Sequence, residues 1–299
     1  MIYVAHHATT LALAVAGAWA LTRGRWQVRA PRLALLLWHA TAISAVTGAV
    51  GLLLSVGLQP YRLGIGPALG ALVTGAGRPA PLTAAHLGAV AAGLALGAAV
   101  LAVQASSSWR LCRQRSRHRL LLRLVGRPEP RGRALLLDHP AAAAYWVPGP
   151  AGCVVVSTGV LDALTERELA AVLAHEHAHA RGRHHLLLAP FQALRRALPV
   201  RPVARAAATV ELLVEMCADD RAARRHGADP LASALRRFHE LGARPAPSGT
   251  IAAADTAIAA RIARLRGAHP PIRRWVQCAV TLTALAVVTT PASLFVLPW

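Results

Sequence analysis

Three long apolar runs come before the first acidic residue, Glu129, and they restrict the fold of this chain more than any other feature. The runs cover about residues 4–21, 33–58 and 82–103, and a fourth covers about 275–299. About 20 consecutive apolar residues cross a bilayer as a helix. The first run lacks the basic flank of a signal peptide, so we expect it to remain in the membrane. We therefore predict four transmembrane helices.

The distribution of arginine between these runs gives their expected orientation. Loops on the cytoplasmic side of a membrane carry an excess of basic residues. The connection between the first two runs is richer in arginine than the next one, and a larger cluster follows the third run: Arg110, Arg113, Arg115, Arg117, Arg119 and Arg123. We therefore expect a plasma membrane protein whose amino and carboxyl termini lie outside. The segment between the third and fourth helices would then be cytoplasmic.

The strongly basic composition also bears on binding partners. The formal net charge is +20, no lysine is present, and much of the excess lies next to the predicted helices. Aromatic and basic residues do not alternate as they do on many surfaces that bind nucleic acid. We therefore expect contact with the anionic headgroups of the lipid bilayer and no direct binding of nucleic acid. The four cysteines form no C-x-x-C pair, which favours a reducing compartment without disulfides.

Residues 106–274 have the composition of one soluble domain between three helices within 1–105 and a fourth within 275–299. Its periodicity predicts strands at 134–137, 143–147 and 154–157, then helices at 162–180 (or as far as 196), 206–226, 230–241 and 254–266. The stretch 242–249 contains two prolines and two glycines and predicts a loop. We therefore predict a membrane α-helical protein with an α+β domain made of a small antiparallel sheet plus helices.

A His-Glu-x-x-His motif occupies residues 175–179, within the first of those helices. Residues four positions apart lie on one face of a helix, so His175 and His179 can each offer a ring nitrogen to the same metal ion. Glu176 lies beside them and can act as the general base that takes a proton from the attacking water. This combination is typical of a hydrolytic site for one Zn²⁺ ion per chain.

Two further patterns supply candidates for the third metal ligand. Glu215 and Asp219 are four residues apart in a predicted helix, so Glu215 can bind the ion while Asp219 orients a ligand histidine. His185 completes the alternative spacing H-E-x-x-H-x-x-G-x-x-H, which is typical of metzincins. We favour Glu215, because Met216 lies in a helical pattern with no Met-turn around it.

Four linked motifs resemble the BlaR/MecR-type membrane metallopeptidases, which are relatives of the HtpX and CAAX-prenyl-protease group of gluzincins. The motifs are the segments 144–149, 154–161, 168–179 and 215–222. The resemblance implies a cytoplasmic, gluzincin-like zinc protease domain between the third and fourth membrane helices. It also implies that Glu215 is the third zinc ligand and that Asp219 is the carboxylate beside the ligands.

The resemblance further implies where a protein or peptide substrate binds. The strand that contains Ala143, Ala144, Tyr145 and Trp146 would lie beside the zinc and receive the substrate as an added strand. Such pairing tolerates many sequences, because backbone atoms form the hydrogen bonds. Arg261 resembles an arginine that lies near the site in the family, and the alternative for it is a solvated position on a helix.

The function we expect is that of an integral membrane zinc-dependent endopeptidase that cleaves a cytoplasmic protein, such as a transcriptional repressor in a signalling pathway. Two alternatives stay open: an HtpX-like quality-control protease, and a zinc-stabilised membrane signalling module without catalysis. Receptor members of the family carry a penicillin-binding sensor domain outside the membrane, after the fourth helix. Because this chain ends at Trp299, we expect it to lack that domain.

Overall fold

The computed structural model describes residues 2–75, 82–128, 134–149, 152–241, 251–267 and 272–296. The helices in chain order are α1 (Ile2–Arg23), α2 (Pro31–Gly57), α3 (Ile65–Thr74), α4 (Ala84–Val125), α5 (Thr158–Ala163), α6 (Glu166–Arg181), α7 (His184–Ala197), α8 (Arg201–His226), α9 (Ala228–Glu240), α10 (Ile251–Leu265) and α11 (Arg274–Val296). Between α4 and α5 lie the strands β1 (Arg127–Pro128), β2 (Leu135–Leu137), β3 (Ala144–Val147) and β4 (Cys153–Ser157). The chain divides into two compact units: Met1–Gln27 with Leu33–Val103 and Ile272–Trp299, and Val28–Arg32 with Gln104–Pro271.

The first unit contains the apolar helices. Within the described ranges, three helices are long and apolar enough to cross a membrane: α1, α2 and α4. They coincide with the three apolar runs predicted in the first part of the chain. The segment that forms α11 is also helical but does not belong to this group of three, so the fourth crossing stays a prediction. The connection between α2 and α4 contains the short apolar helix α3, which the sequence analysis did not predict.

Helix α4 is 42 residues long and continues well past residue 103, where we predicted the third membrane helix to end. No glycine or proline occurs between Gly97 and Gly126, so the stretch contains neither of the residues that most disfavour a helix. The arginine cluster after residue 103 is therefore helical, and the helix ends at the glycine before β1.

The second unit contains a four-stranded sheet with the order β1-β2-β4-β3. The antiparallel sheet that we predicted is wrong, because β2 and β4 are parallel while β1–β2 and β3–β4 are antiparallel. The cause is the position of the β3–β4 hairpin, in which β4 is the strand that pairs with β2. Two chain reversals separate β2 from β4, so the two strands point the same way. As a result, β3 lies at one edge of the sheet.

The three valines in the middle of β4 alternate between the two faces of the sheet, as expected for a strand with a period of two. Val154 and Val156 are buried with Val172 of α6 on one face. Val155 is buried on the opposite face with Leu122 of α4. Helix α6 also packs against α8 and β3. This packing fixes α6 between the edge strand β3 and the long helix α8.

The helical part of the second unit follows the predicted pattern with two differences. The helix predicted at 162–180 is divided, because α5 ends at Ala163 and α6 begins at Glu166 after the cap at Thr165. The extension of the first helix to residue 196 is wrong, because the chain turns after α6 and a new helix, α7, begins at His184. Gly182 is the C-cap of α6, and Arg183 has a left-handed backbone with φ of 47°. The predicted loop at 242–249 lies outside the described residues.

Candidate metal centre

Helix α6 carries the motif, and its amino terminus is fixed by a capping box. Oε2 of Glu168 accepts hydrogen bonds from the backbone N–H and the hydroxyl of Thr165, both at 2.9 Å. In return, Oγ1 of Thr165 accepts the N–H of Glu168 at 3.4 Å. Such reciprocal bonds satisfy backbone donors that the first turn of a helix leaves unpaired. The start of α6 is therefore well defined three turns before the metal motif.

His175 and His179 project from the same face of α6, as residues four apart should. Their Nε2 atoms are 3.0 Å apart, and their ring centroids are 4.7 Å apart. Glu215 enters from α8, with Oε2 3.4 Å from Nε2 of His175 and Oε1 3.3 Å from Nε2 of His179. Within the described residues, these three form the one group of histidine, cysteine and acidic side chains that converges as a metal site would require.

The spacing of the three side chains fits a zinc ion. Tetrahedral zinc with ligand distances of roughly 2.0–2.1 Å requires ligand atoms roughly 3.3 Å from one another. The observed separations of 3.0–3.4 Å match that requirement. Two neutral imidazoles and one carboxylate are also a donor set that catalytic zinc sites use, and they leave a fourth position open. The side chains present therefore fit the metal that the motif implies.

Asp219 and Arg261 form a buried layer behind the ligands. Oδ1 of Asp219 lies 3.0 Å from Nδ1 of His175, and its two oxygens accept hydrogen bonds from Nε and Nη2 of Arg261 at 2.8 and 2.7 Å. Nη1 of Arg261 also lies 3.0 Å from Oε2 of Glu215. Arg261 is only 4% exposed, so the solvated position considered for it is wrong. One guanidinium thus connects the carboxylates of two residues at the site.

The charges at this centre shift several pKa values. Burial raises the pKa of Asp219, but the positive charge and hydrogen bonds of Arg261 outweigh burial and lower it to about 2. Burial lowers the pKa of His175, but the carboxylates of Asp219 and Glu215 outweigh that effect and raise it to about 10. Without a metal ion, the ring of His175 is therefore protonated on both nitrogens at neutral pH. A metal ion that binds this ring must displace one of the two protons.

Glu176 lies between the ligand cluster and the sheet. Its Oε2 accepts a hydrogen bond of 2.8 Å from the backbone N–H of Trp146, in the edge strand β3. Burial raises the pKa of Glu176 above its usual value, although the nearby His175 and His179 oppose this shift. A carboxylate with a raised pKa is better matched to proton transfer near neutral pH than an ordinary one.

The strand predicted to bind substrate is the edge strand β3. Ser157 occupies both backbone groups of Ala143: its Oγ accepts the N–H of Ala143, and its N–H donates to the carbonyl, both at 2.9 Å. The hydroxyl of Tyr145 lies 3.1 Å from Nε2 of His118. Ala144 and Trp146 pair in register with Val156 and Val154 of β4. Of the four predicted residues, Trp146 is the one whose backbone contacts the catalytic motif.

The neighbouring histidines of α7 differ in their placement. His185, the rival third ligand, is not part of the group formed by His175, His179 and Glu215. His184 is buried, and its Nδ1 lies 2.9 Å from Nδ1 of His179. Burial is also the largest cause of a lowered pKa for His184, at about 3. His184 is not predicted from the sequence, because the left-handed turn at Arg183 that brings it back to the site has no clear sequence signal.

Met216 and Cys217 are buried in α8 and take no part in the ligand group. Met216 is fully buried inside a helix, which agrees with the absence of a Met-turn in the sequence. Burial raises the pKa of Cys217 to about 11, so the thiol stays protonated at neutral pH. All four cysteines of the chain are free.

Two histidines from one helix, a carboxylate from a second helix and an adjacent glutamate define the site of a metallopeptidase. The model of one family, described as Peptidase family M48, matches residues 112–277, more than half of the chain. The chain therefore belongs to peptidase family M48, whose members are zinc-dependent. No curated protein and no solved structure gives a significant match. The prediction of a metallopeptidase is confirmed, and the apolar helices before the matched region indicate that it is associated with a membrane.

Proposed function

We propose that this protein is a zinc endopeptidase of the cytoplasmic membrane that cleaves an extended segment of a cytoplasmic protein, such as a transcriptional repressor. The observation that supports this most directly is the contact between Glu176 and Trp146. It joins the glutamate of the ligand motif to the edge strand of the sheet at 2.8 Å. A substrate strand added at that edge would lie beside the ligand cluster.

The roles proposed for the residues follow from their geometry. His175, His179 and Glu215 hold the ion, and Asp219 accepts the Nδ1 proton of His175. A zinc ion held by these residues would supply a Lewis acid for the scissile carbonyl and would lower the pKa of water bound to it to about 7. Glu176 receives the proton of the attacking water on a carboxylate oxygen and later delivers it to the leaving amine. Its raised pKa suits both transfers.

The edge of β3 that faces away from β4 supports an extended substrate. Alternate residues of an antiparallel strand direct their backbone groups to the paired neighbour. The N–H of Trp146 is directed to Glu176, away from β4, so the backbone of Ala144 faces the same open edge. Backbone groups at that edge can pair with a peptide of almost any sequence. Backbone pairing of this kind fits a protease that cleaves any extended segment able to reach its active site, with little dependence on sequence.

A position next to the bilayer would restrict which proteins can reach the protease. The three candidate membrane helices all begin before the matched peptidase region, and the last of them, α4, extends into its start with a strongly basic second half. Arginines next to a membrane are attracted to anionic lipid headgroups, which would hold the protease close to the cytoplasmic leaflet. Substrates would then be proteins, or parts of membrane proteins, that reach this surface.

The test is Glu176→Gln in the purified full chain, with an unfolded casein as the protein probe. Loss of a general base should reduce the cleavage rate by about 10²- to 10⁴-fold, while zinc content stays at the wild-type level. Glu240→Gln is the matched control, because Glu240 is exposed at the end of α9. Equal cleavage by Glu176→Gln and the wild type would reject the proposal. Absence of cleavage by the wild type under all conditions would favour the non-catalytic signalling module.

The same substitution separates the two protease roles in cells. An inactive enzyme that still binds substrate should retain it, so proteins that co-purify with Glu176→Gln identify the substrate class. A repressor in that fraction, cleaved by the wild type, supports the signalling role. Damaged membrane proteins in its place would favour the quality-control role.

A further inference from the structure

His184 is a buried histidine that lies directly beside the proposed ligand cluster. The residue is only 4% exposed, although it is a histidine at the start of a helix. Its Nδ1 lies 2.9 Å from Nδ1 of His179, and the two rings meet edge to face with centroids 4.7 Å apart. The buried imidazole is therefore placed to form a hydrogen bond with the ring of His179.

The two nitrogens of His179 face different partners. Its Nε2 is directed to Nε2 of His175 and to Glu215, at 3.0 and 3.3 Å. Its Nδ1 is directed to His184. A neutral imidazole that binds a metal through Nε2 must carry its proton on Nδ1, and that N–H needs an acceptor. Because His184 contacts the far edge of the ring, it cannot belong to the ligand set itself.

We propose that Nδ1 of His184 accepts the Nδ1 proton of His179 and so fixes the ring of this ligand, as Asp219 is placed to do for His175. The inference rests on the proposed function, since it assigns His179 as a zinc ligand. His184 is then a positioning residue, and each ligand histidine has its own buried acceptor. One acceptor is a carboxylate from α8, and the other is a neutral imidazole from α7.

Gly182 makes room for this arrangement. A Cβ atom at residue 182 would lie 2.2 Å from Nε2 and 2.3 Å from Cδ2 of His184, far inside contact distance. The backbone of Gly182 has helical angles of −74° and −7°, which any residue can adopt. A side chain at residue 182 would therefore displace the ring of His184. The left-handed turn at Arg183 then brings that ring back over the end of α6.

This explains the glycine in the spacing H-E-x-x-H-x-x-G-x-x-H. In the metzincin interpretation the glycine would turn the chain so that His185 binds the metal. In the structure, the ring that lies against Gly182 belongs to His184, one residue earlier. The glycine of the metzincin spacing is therefore explained by the packing of His184, without a metal ligand at His185.

The experiment measures the zinc dissociation constant of the full chain in detergent, by competition with a chromogenic chelator. His184→Phe keeps a ring of similar size but removes the acceptor, and we expect it to raise the constant by about 10- to 100-fold. The absorption bands of the cobalt(II)-substituted protein should shift as well, because the geometry of a ligand changes. His184→Asp restores an acceptor and should bind zinc nearly as the wild type does. His185→Phe, the matched control on the next residue, should change neither measurement.

Zinc binding by the variant Gly182→Ala provides an independent test of the same inference. Alone, the substitution should weaken zinc binding, because the added methyl group displaces the ring of His184. Combined with His184→Asp, which removes that ring, it should have little further effect, since residues that act through one contact are not additive. An equal effect of Gly182→Ala in both backgrounds would show that the glycine acts on the helix and not through His184.

The outcomes separate this inference from the proposed function. Wild-type zinc affinity and an unchanged cobalt spectrum in His184→Phe would overturn the positioning role while leaving the protease assignment intact. If the wild type binds no zinc, the proposed function itself fails. If His184→Phe does not fold, the decision passes to His184→Asp. Tight zinc binding by that variant supports the inference, and weak binding by a folded His184→Asp contradicts it.

Discussion

Oδ1 of Asp219 lies 3.0 Å from Nδ1 of His175, on the edge of the ring that faces away from Glu215. The carboxylate cannot rotate freely, because Arg261 holds both of its oxygens. The position of the acceptor is therefore fixed before any metal binds. Asp219 therefore orients the ring of His175. A metal site with few ligands requires such fixed orientation of each ligand.

Asp219→Ala is expected to weaken zinc binding by about 10- to 100-fold, because His175 loses the group that orients it. It should also lower the free energy of unfolding by about 3–5 kcal/mol, because the buried Arg261 loses a partner. Zinc competition and denaturant unfolding measure the two effects separately. Asp220→Ala is the control, since Asp220 pairs with Arg264. Unchanged zinc affinity in Asp219→Ala would show that the acceptor role is wrong.

Glu215→Ala should abolish stoichiometric zinc binding, because it removes one of three converging ligands. His185→Ala should keep about one zinc ion per chain. Elemental analysis of both purified variants decides between them. Loss of zinc in His185→Ala together with retention in Glu215→Ala would restore the metzincin alternative.

Ala144→Pro tests the proposed substrate edge. Proline removes a backbone N–H that faces away from β4, so the sheet keeps its own pairing while a bound peptide loses one hydrogen bond. A lost hydrogen bond of about 0.5–1.5 kcal/mol corresponds to a roughly 2- to 13-fold fall in kcat/KM. Steady-state cleavage of an unfolded protein measures it. Tyr145→Pro is the contrasting variant, since it removes a pairing N–H and should destabilise the domain; an unchanged kcat/KM in a folded Ala144→Pro would exclude pairing at this residue.

The sequence predicts which side chains share a helix face at the candidate site, because this depends only on spacing within a helix. His175 and His179, and likewise Glu215 and Asp219, are four residues apart, and this interval places side chains on one face in any helix. The structure adds the contact between the two helices, which periodicity does not encode.

The features that could not be predicted from the sequence depend on long-range pairing or on single backbone angles. The parallel pairing of β2 with β4 follows from where the hairpin adds to the sheet. The return of His184 to the site follows from one left-handed residue, Arg183, which is not a glycine or asparagine and therefore gives no warning in the sequence. The burial of Arg261 depends on the packing of α10 against α8.

Glu168→Gln should reduce the stability of the second unit in a pH-dependent way. Burial raises the pKa of Glu168, but hydrogen bonds from Ser233 and Thr165 and the charge of Arg237 outweigh it and lower the pKa overall. A lowered pKa in the folded state means that the carboxylate contributes stability above its unfolded pKa of about 4.3, and loses it as the pH falls further.

The stability difference between the wild type and Glu168→Gln should therefore be largest near neutral pH and shrink below about pH 4.3. Thermal unfolding of both proteins over a range of pH measures it. The exposed carboxylate of Glu240 provides the comparison, because Glu240→Gln leaves the capping box intact. A difference that does not depend on pH would mean that the charge of Glu168 is not what stabilises the start of α6.

The orientation in the membrane is the prediction most independent of the peptidase family. The connection before α2 and the second half of α4 are rich in arginine, whereas the connection between α2 and α4 is poor in it. The positive-inside rule therefore places the metal centre in the cytoplasm and both ends of the chain outside. A reporter enzyme active only outside the cytoplasmic membrane should be silent when inserted within residues 242–249, and active after Gly75 or after Trp299. The reverse pattern would place the metal centre outside the cell membrane, where cytoplasmic repressors cannot be substrates, and would favour quality control of envelope proteins.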